Sequence, residues 1–214
     1  MALGLGLATG LLAPGTGLAQ TVDIGGRFGW YHPVAPLIEA GLPPGPSSPV
    51  EKRLQVSLLA GADATVWVST RLGFAGIIAY APSSVAVTDS NTVTDHSSSV
   101  ILVSGRVLFA FTPLQVGPKI APGGAAPWSF YVGAGAGMAS RSGTVWSYSS
   151  GRTSPALVLN VGTRTPVGPR CVMRFDIEDY ISRARFDKGL PTETAAHMHH
   201  DVVISMSVAF RAVR

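Results

Sequence analysis

From Cys171 the chain reads CVMRFDIEDY, and simple alternation sorts its side chains into two rows. Cys171, Met173, Phe175 and Ile177 form one row, and Arg174, Asp176 and Glu178 form the other. Successive side chains of a β-strand point to opposite faces, so a period of two places every second residue in one environment. The same period recurs wherever the chain is not crowded with turn residues, and no helical period of 3.6 competes with it. Val202, Ile204, Met206, Val208 and Phe210 stand against Asp201, Ser205, Ser207 and Ala209. Val56, Leu58, Ala60, Ala62, Ala64 and Val66 stand against Gln55, Ser57, Gly61, Asp63 and Thr65. Val22, Ile24, Phe28 and Trp30 oppose Asp23, Gly25, Arg27 and Gly29, while Phe130, Val132, Ala134, Ala136 and Met138 oppose Ser129, Gly133, Gly135 and Gly137.

Alternation alone suits a soluble barrel and a membrane barrel equally; the chemistry of the two rows separates them. The polar row is mostly Gly and Ser with a sparse set of ions. That is a poor coat for a soluble domain, which carries charge over much of its exterior. Charged residues make up only 13% of the chain, against about 25% in an ordinary globular protein. The apolar row carries almost no charge until the strand ends. A lipid-facing surface requires this, because an arginine at the bilayer midplane costs about 2–4 kcal/mol. Beyond residue 20 no apolar run reaches the ~18–20 residues of a spanning helix. The remaining membrane-spanning solution is a sheet closed on itself, with polar residues inside and apolar residues outside. The expected fold is therefore all-β: a closed antiparallel up-and-down eight-stranded transmembrane β-barrel.

Eight segments carry the pattern: Thr21–Tyr31, Arg53–Val68, Arg71–Pro82, Ser99–Thr112, Trp128–Arg141, Pro155–Thr165, Cys171–Arg185 and Asp201–Ala212. Each is bounded by Pro, Gly, Ser or Asn/Asp clusters. Connections alternate long and short, with the Pro/Gly-rich PLQVGPKIAPGGAAP as the exception. The polar stretch SSVAVTDSNTVTDHSS reads as a loop, and so does FDKGLPTETAAHMHH. Long outer loops and short periplasmic turns put both termini on the periplasmic side. Trp30 and Tyr80 fall near outer strand ends, and Phe109, Phe111, Trp128 and Phe210 near the opposite ends, as two interfacial girdles would. Trp67 falls on the polar row, where a bulge or the strand's end is the expected explanation.

Residues 1–19, MALGLGLATGLLAPGTGLA, are uncharged and apolar up to Pro14, and end in the small-x-small Gly17-Leu18-Ala19. They read as a signal peptide cleaved after Ala19, although no basic residue follows Met1. Residues 20–214 then form one barrel domain, and export to the bacterial outer membrane is expected. The single cysteine excludes an intramolecular disulfide, and its row makes it a small hydrophobe facing lipid. Basic residues are scattered singly, without the clusters that grip nucleic acid, so no nucleic-acid partner is expected.

With its start ending GLAQ, the opening strand VDIGGRFGWY, the Gly-rich FYVGAGAGM, the charged RFDIEDY and the last strand VVISMSVAF, the chain resembles the small OmpA-type and OmpX-type outer-membrane barrels. The likeness covers nearly the whole mature chain but is architectural. It implies the lipid bilayer and lipopolysaccharide as surroundings and the barrel-assembly machinery as a partner during biogenesis. Loop partners are not specified. One departure is that Phe210 is followed by Arg-Ala-Val-Arg, whereas the family's aromatic usually stands last.

Eight ions project inward on this phasing: Asp23, Arg27, Asp63, Arg106, Arg164, Arg174, Asp176 and Glu178. In a narrow lumen such charges are expected to pair, since an unpaired buried charge is expensive. The expected role is a salt-bridge plug in a structural or surface-contact barrel. The alternatives are a small pore or conduit for small or apolar molecules, and a lipid-modifying enzyme. His197, His199 and His200, with His96 elsewhere, could bind a transition metal only from an ordered loop. His200 and Ser205 lie on opposite faces of one strand and cannot form a catalytic dyad. GAGAGM lacks the spacing of a phosphate loop. No catalytic residue, metal or cofactor is therefore assigned.

Overall fold

The computed structural model describes residues 21–34, 51–89, 92–112, 114, 128–143, 146, 152–184 and 197–213. The expected signal peptide and most of the long connections lie outside the described residues. The strands are β1 (Thr21–Pro33), β2 (Glu51–Leu54), β3 (Ser57–Trp67), β4 (Leu72–Asp89), β5 (Thr92–Ala110), β6 (Ser129–Ser142), β7 (Thr153–Pro166), β8 (Cys171–Ala184) and β9 (His197–Val213). All pairings are antiparallel, and β1 joins β9 to close a ring through every strand except β2. The ring is the eight-stranded up-and-down barrel that the alternation predicts.

Register sets the barrel's dimensions. The partner of Thr21 is Trp67, and the path continues through Gly73, Leu108, Gly133, Asn160, Glu178 and Val203 to Tyr31. One circuit therefore climbs from Thr21 to Tyr31 on the same strand. With eight strands and ordinary strand spacing, that stagger tilts the strands by about 40° and sets a backbone radius of about 8 Å. At that tilt, the 13 residues of β1 rise about 30 Å, enough to cross a hydrocarbon core. Inward side chains must fill a bore this narrow.

Two departures from the expected strand map have local causes. The stretch after Pro82 is not a loop: β4 runs to Asp89 and β5 begins at Thr92, with Ser84 paired to Ser97 and Val85 to His96. Its alternating Val85, Val87 and Val93 favour extended backbone, and Ser and Thr between them satisfy a pleated surface as well as a turn does. The second expected segment breaks into β2 and β3. Between Leu54 and Ala60 the chain takes one residue more than β4 takes between Tyr80 and Val85, which is a β-bulge at Gln55–Val56. Gln55 is held there by Asp95 and Ser84 side chains at 3.0 and 2.9 Å.

Short turns join β3 to β4 and β7 to β8 at one end, called here the turn end. In the first, the Ser69 hydroxyl accepts the backbone N–H of Leu72 at 2.9 Å and of Arg71 at 3.2 Å. At the opposite, loop end, β2 and the outer parts of β4 and β5 stand beyond the ring, since β5 pairs with β6 only from Ser99 inward.

The outer wall is apolar. Ile24, Phe28, Phe74, Ile78, Phe130, Val161, Ile177, Ile204 and Val208 are all exposed. Trp30 and Tyr80 ring it toward the loop end; Phe109, Phe111, Trp128 and Phe210 ring it at the turn end. Trp128 stacks on Phe175 with centroids 6.0 Å apart. Cys171 is also exposed on this wall.

Candidate functional site: the filled lumen

Inward rows converge on the barrel axis, and all eight ions named from the sequence lie there, buried. In the middle of the lumen three arginines face three carboxylates. Arg27 Nη2 donates to Glu178 Oε1 at 2.7 Å, and Arg106 Nη1 lies 2.8 Å from the same oxygen. Arg27 also reaches the Ser205 hydroxyl. Arg174 donates to Asp63 Oδ2 at 3.0 Å, to Asp176 Oδ2 at 3.3 Å, to the Tyr131 hydroxyl at 3.0 Å and to Thr65. Toward the turn end, Arg164 donates to Asp23 Oδ2 through both Nε and Nη2, at 3.1 and 2.8 Å. These pairs join residues far apart in sequence because the bore brings opposite walls within reach.

Three buried tyrosines complete the network. Tyr131 donates to Asp176 Oδ1 at 2.7 Å, and its ring lies 5.5 Å from the Arg174 guanidinium carbon. Asn160 donates to the same carboxylate oxygen at 2.9 Å. Tyr180 donates to Glu178 Oε2 at 3.3 Å, and Tyr31 donates to Asp201 Oδ1 at 2.6 Å. Space for these groups comes from glycine. A Cβ on Gly162 would lie 2.6 Å from the Tyr131 hydroxyl and 2.7 Å from Asp176, closer than packed atoms tolerate. Glycine at this inward position is therefore required by the particular side chains that face it.

Sequence reasoning missed part of the set. Arg141 pairs with Asp201 near the loop end, fully buried. Arg141 is the last residue of its expected strand, and alternation from Ser129, Gly133 and Gly135 already placed it inward. Arg211 lies beyond the last aromatic, where the strand was expected to be ending, yet it pairs in register with Asp23.

A larger correction concerns the lumen's loop-end half. A filling of small and charged residues was expected throughout, yet Leu54, Leu59, Ile77, Val85, Val100, Leu102, Val158 and Val203 pack there with Trp146 into one buried apolar cluster. Trp146 comes from the β6–β7 connection, and its indole N–H donates to Ser98 at 2.8 Å. Only Val85 and Trp146 fall in expected loops. Apart from Leu54, which the bulge turns inward, the others lie on the inward rows of expected strands, where alternation gives their face but not that they share one level. At the turn end, Trp67 points inward and is fully buried; neither a bulge nor a strand end removes it from the row. It meets Tyr131 edge-on at 6.1 Å and packs with Leu108, Ala110 and Leu114. Gly73 makes room for it, since a Cβ there would lie 2.7 Å from the indole.

The histidines do not form a loop cluster. His197, His199 and His200 belong to β9, where alternation splits neighbours between faces. His199 is buried, whereas His200 is half-exposed and lies 2.8 Å from Asp179. His96 is on β5 opposite Val85. Among the described residues no group of metal-binding side chains converges. Ser205 is buried in the lumen, on the face opposite His200.

With this geometry in place, the chain is similar in structure to the outer membrane protein OprG from Pseudomonas aeruginosa. The TM-score is 0.59 at 10% identity, covering 92% of this chain and 96% of that one. Weaker likenesses, at TM-scores of 0.43 and 0.44, are to Ail of Yersinia pestis (13% identity, 91% and 98% covered) and to AlkL (12% identity, 94% and 94% covered). No protein-family model and no curated protein matches the sequence. The fold is that of the small eight-stranded outer-membrane barrels.

Proposed function

We propose that this protein is an integral outer-membrane barrel with a closed bore, serving the envelope structurally or by contact through its loop-end surface. The turn end then faces the periplasm and the loop end faces outward. An apolar outer wall between two aromatic girdles supports the membrane location, as does the likeness to OprG in fold. The observation that supports the closed bore is the burial of inward side chains at each described level of the lumen. Trp67 and Tyr131 form a floor, the paired ions a middle, and the apolar cluster under Trp146 a stopper.

Each layer opposes passage for its own reason. Water and ions meet a segment near the loop end where apolar side chains dominate and where Tyr31, Arg141 and Asp201 are bonded to one another. Apolar solutes meet a charged segment whose ion pairs they would have to break. On this reading the barrel performs no chemistry and holds no cofactor. Its surroundings are the bilayer and lipopolysaccharide, and the barrel-assembly machinery inserts it. The projecting sheet of β2, β4 and β5 is the surface placed to meet other molecules.

Recording from purified protein in a planar lipid bilayer tests the reading. The expected result is a baseline no different from the bare membrane. Steady, reproducible single-channel openings would overturn the closed bore.

A further inference from the structure

The apolar outer wall is uneven around the ring. Two register rows of bulky side chains cross the adjacent strands β1, β9, β8, β7 and β6. Trp30, Ile204, Ile177 and Val161 form the upper row. Phe28, Met206, Phe175, Thr163 and Phe130 form the lower one. Between them runs the row Gly29, Ser205, Asp176 and Gly162, which presents only backbone to the outside. The result is an open trough of about 550 Å³ with an apolar lining. Across the other side of the wall the row Ala64, Gly76, Gly105 and Ala136 is small and builds no such banks.

The stagger that tilts the strands also tilts these rows. Each step from β6 toward β1 climbs about 3 Å toward the loop end, so the trough rises about 12 Å from Phe130 to Trp30. That climb is on the order of half a hydrocarbon core of about 30 Å. Above the upper end, the same three strands turn polar. His32 follows Trp30 on the outward row of β1, His200 stands beyond Ile204 on β9, and Arg183 beyond Ile177 on β8. His32 and Arg183 are exposed, and His200 is half-buried with its Nδ1 2.8 Å from Asp179 Oδ2. By register, the three lie about 5–10 Å above Trp30 and within about 4 Å of one height. This is the level of lipid headgroups.

We propose that this face binds one molecule of lipid A, the phosphorylated and acylated disaccharide that anchors lipopolysaccharide. One acyl chain lies down the trough, and the headgroup phosphates meet Arg183, His200 and His32. The trough flanks a chain on both sides, where a flat wall touches it on one, so dispersion contacts accumulate along its length. Its inclination fits a chain descending from the loop end. The donors spread over three strands, about 10 Å, wide enough for a headgroup with two phosphates, and a guanidinium fork matches a phosphate. The Asp179 carboxylate opposes an anion, but it is committed to His200 and stands one outward row lower. The proposal rests on the membrane location and outward loop end given above, not on the closed bore.

Native mass spectrometry of the purified protein in maltoside micelles, titrated with diphosphoryl lipid A, tests the site. One lipid retained per barrel is expected, with saturation, and with preference over both dephosphorylated lipid A and phosphatidylglycerol. Arg183→Gln should weaken retention by about tenfold, the worth of a charge-assisted hydrogen bond. Ile177→Trp fills the trough without touching the cations and should weaken it as much. Phe175→Ala, which removes a bank, serves if the tryptophan variant fails the heat-modifiable mobility check for folding. Retention without saturation, equal retention of phosphatidylglycerol, or unchanged affinity in these variants would overturn the proposal. Orientation is read separately with Val93→Cys in a Cys171→Ser background, since Val93 is exposed beyond the ring at the loop end. A membrane-impermeant maleimide should label it on intact cells. Labelling only after lysis would overturn the outward loop end and the lipid A site with it. Labelling on intact cells without saturable lipid A retention would overturn the site alone.

Discussion

Arg174 is the member of the network with the most partners, and Arg174→Met isolates what those partners are worth. The guanidinium is fully buried and serves Asp63, Asp176, Tyr131 and Thr65. Methionine fills most of the same volume, so little cavity is created. What changes is charge. Asp63 and Asp176 keep their negative charges but lose the cation between them, and Arg27 and Arg106 remain committed to Glu178. Breaking a buried pair from one side costs about 3–5 kcal/mol, mostly as the penalty of the charge left behind. The expected loss is of that size.

The same reasoning makes a second demand. In the double variant Arg174→Met, Asp63→Asn, two cations, Arg27 and Arg106, face two anions, Glu178 and Asp176, so the middle lumen is again balanced. What is lost then is hydrogen bonding, at about 1 kcal/mol per bond, so the double variant should recover more than half of the loss. Urea titration of protein folded into lipid vesicles, read by heat-modifiable gel mobility, gives both numbers. A single-variant cost under about 1 kcal/mol, or a double variant no more stable than the single, would refute the idea that unpaired charge dominates the energetics.

Two further outcomes are expected. Val161→Arg places a cation on the exposed wall midway between the girdles and should cost about 2–4 kcal/mol in the same vesicle assay; a cost within 0.5 kcal/mol, on the order of a neutral surface change, would mean that this wall does not face lipid. Trp67→Ala removes the floor's largest side chain and its edge contact with Tyr131, so a loss of about 3–5 kcal/mol is expected, and stability indistinguishable from wild type would show that the floor is not packed.

Much of the architecture was legible in the sequence because a strand has only two faces. Once Met173, Phe175 and Ile177 were recognised as one row, Arg174, Asp176 and Glu178 had to occupy the other. The same logic placed all eight named ions on one side of the wall. It failed where composition masked the period. Ser83–Ser98 is polar enough to read as a loop, although Val85 and Val87 keep the alternation going. His197–His200 follows a Pro/Thr/Ala stretch and was absorbed into it, although β9 begins at His197. Trp67 looked like an error of phase because a tryptophan in a polar row has no use until its neighbours Gly73 and Tyr131 are known.

The sequence by itself determined the barrel class and the direction of most strand residues, because alternation and the scarcity of charge leave few other ways to bury this chain. Only the tertiary structure decided which inward residues meet. That depends on the stagger carrying Thr21 round to the level of Tyr31, and alternation says nothing about stagger. A different stagger with the same faces would set Arg27 beside other partners than Glu178. It would also separate the leucines and valines that now stack beneath Trp146. Which ions pair and which apolar side chains share a level are consequences of height along the axis, a quantity that exists only once the ring is shut.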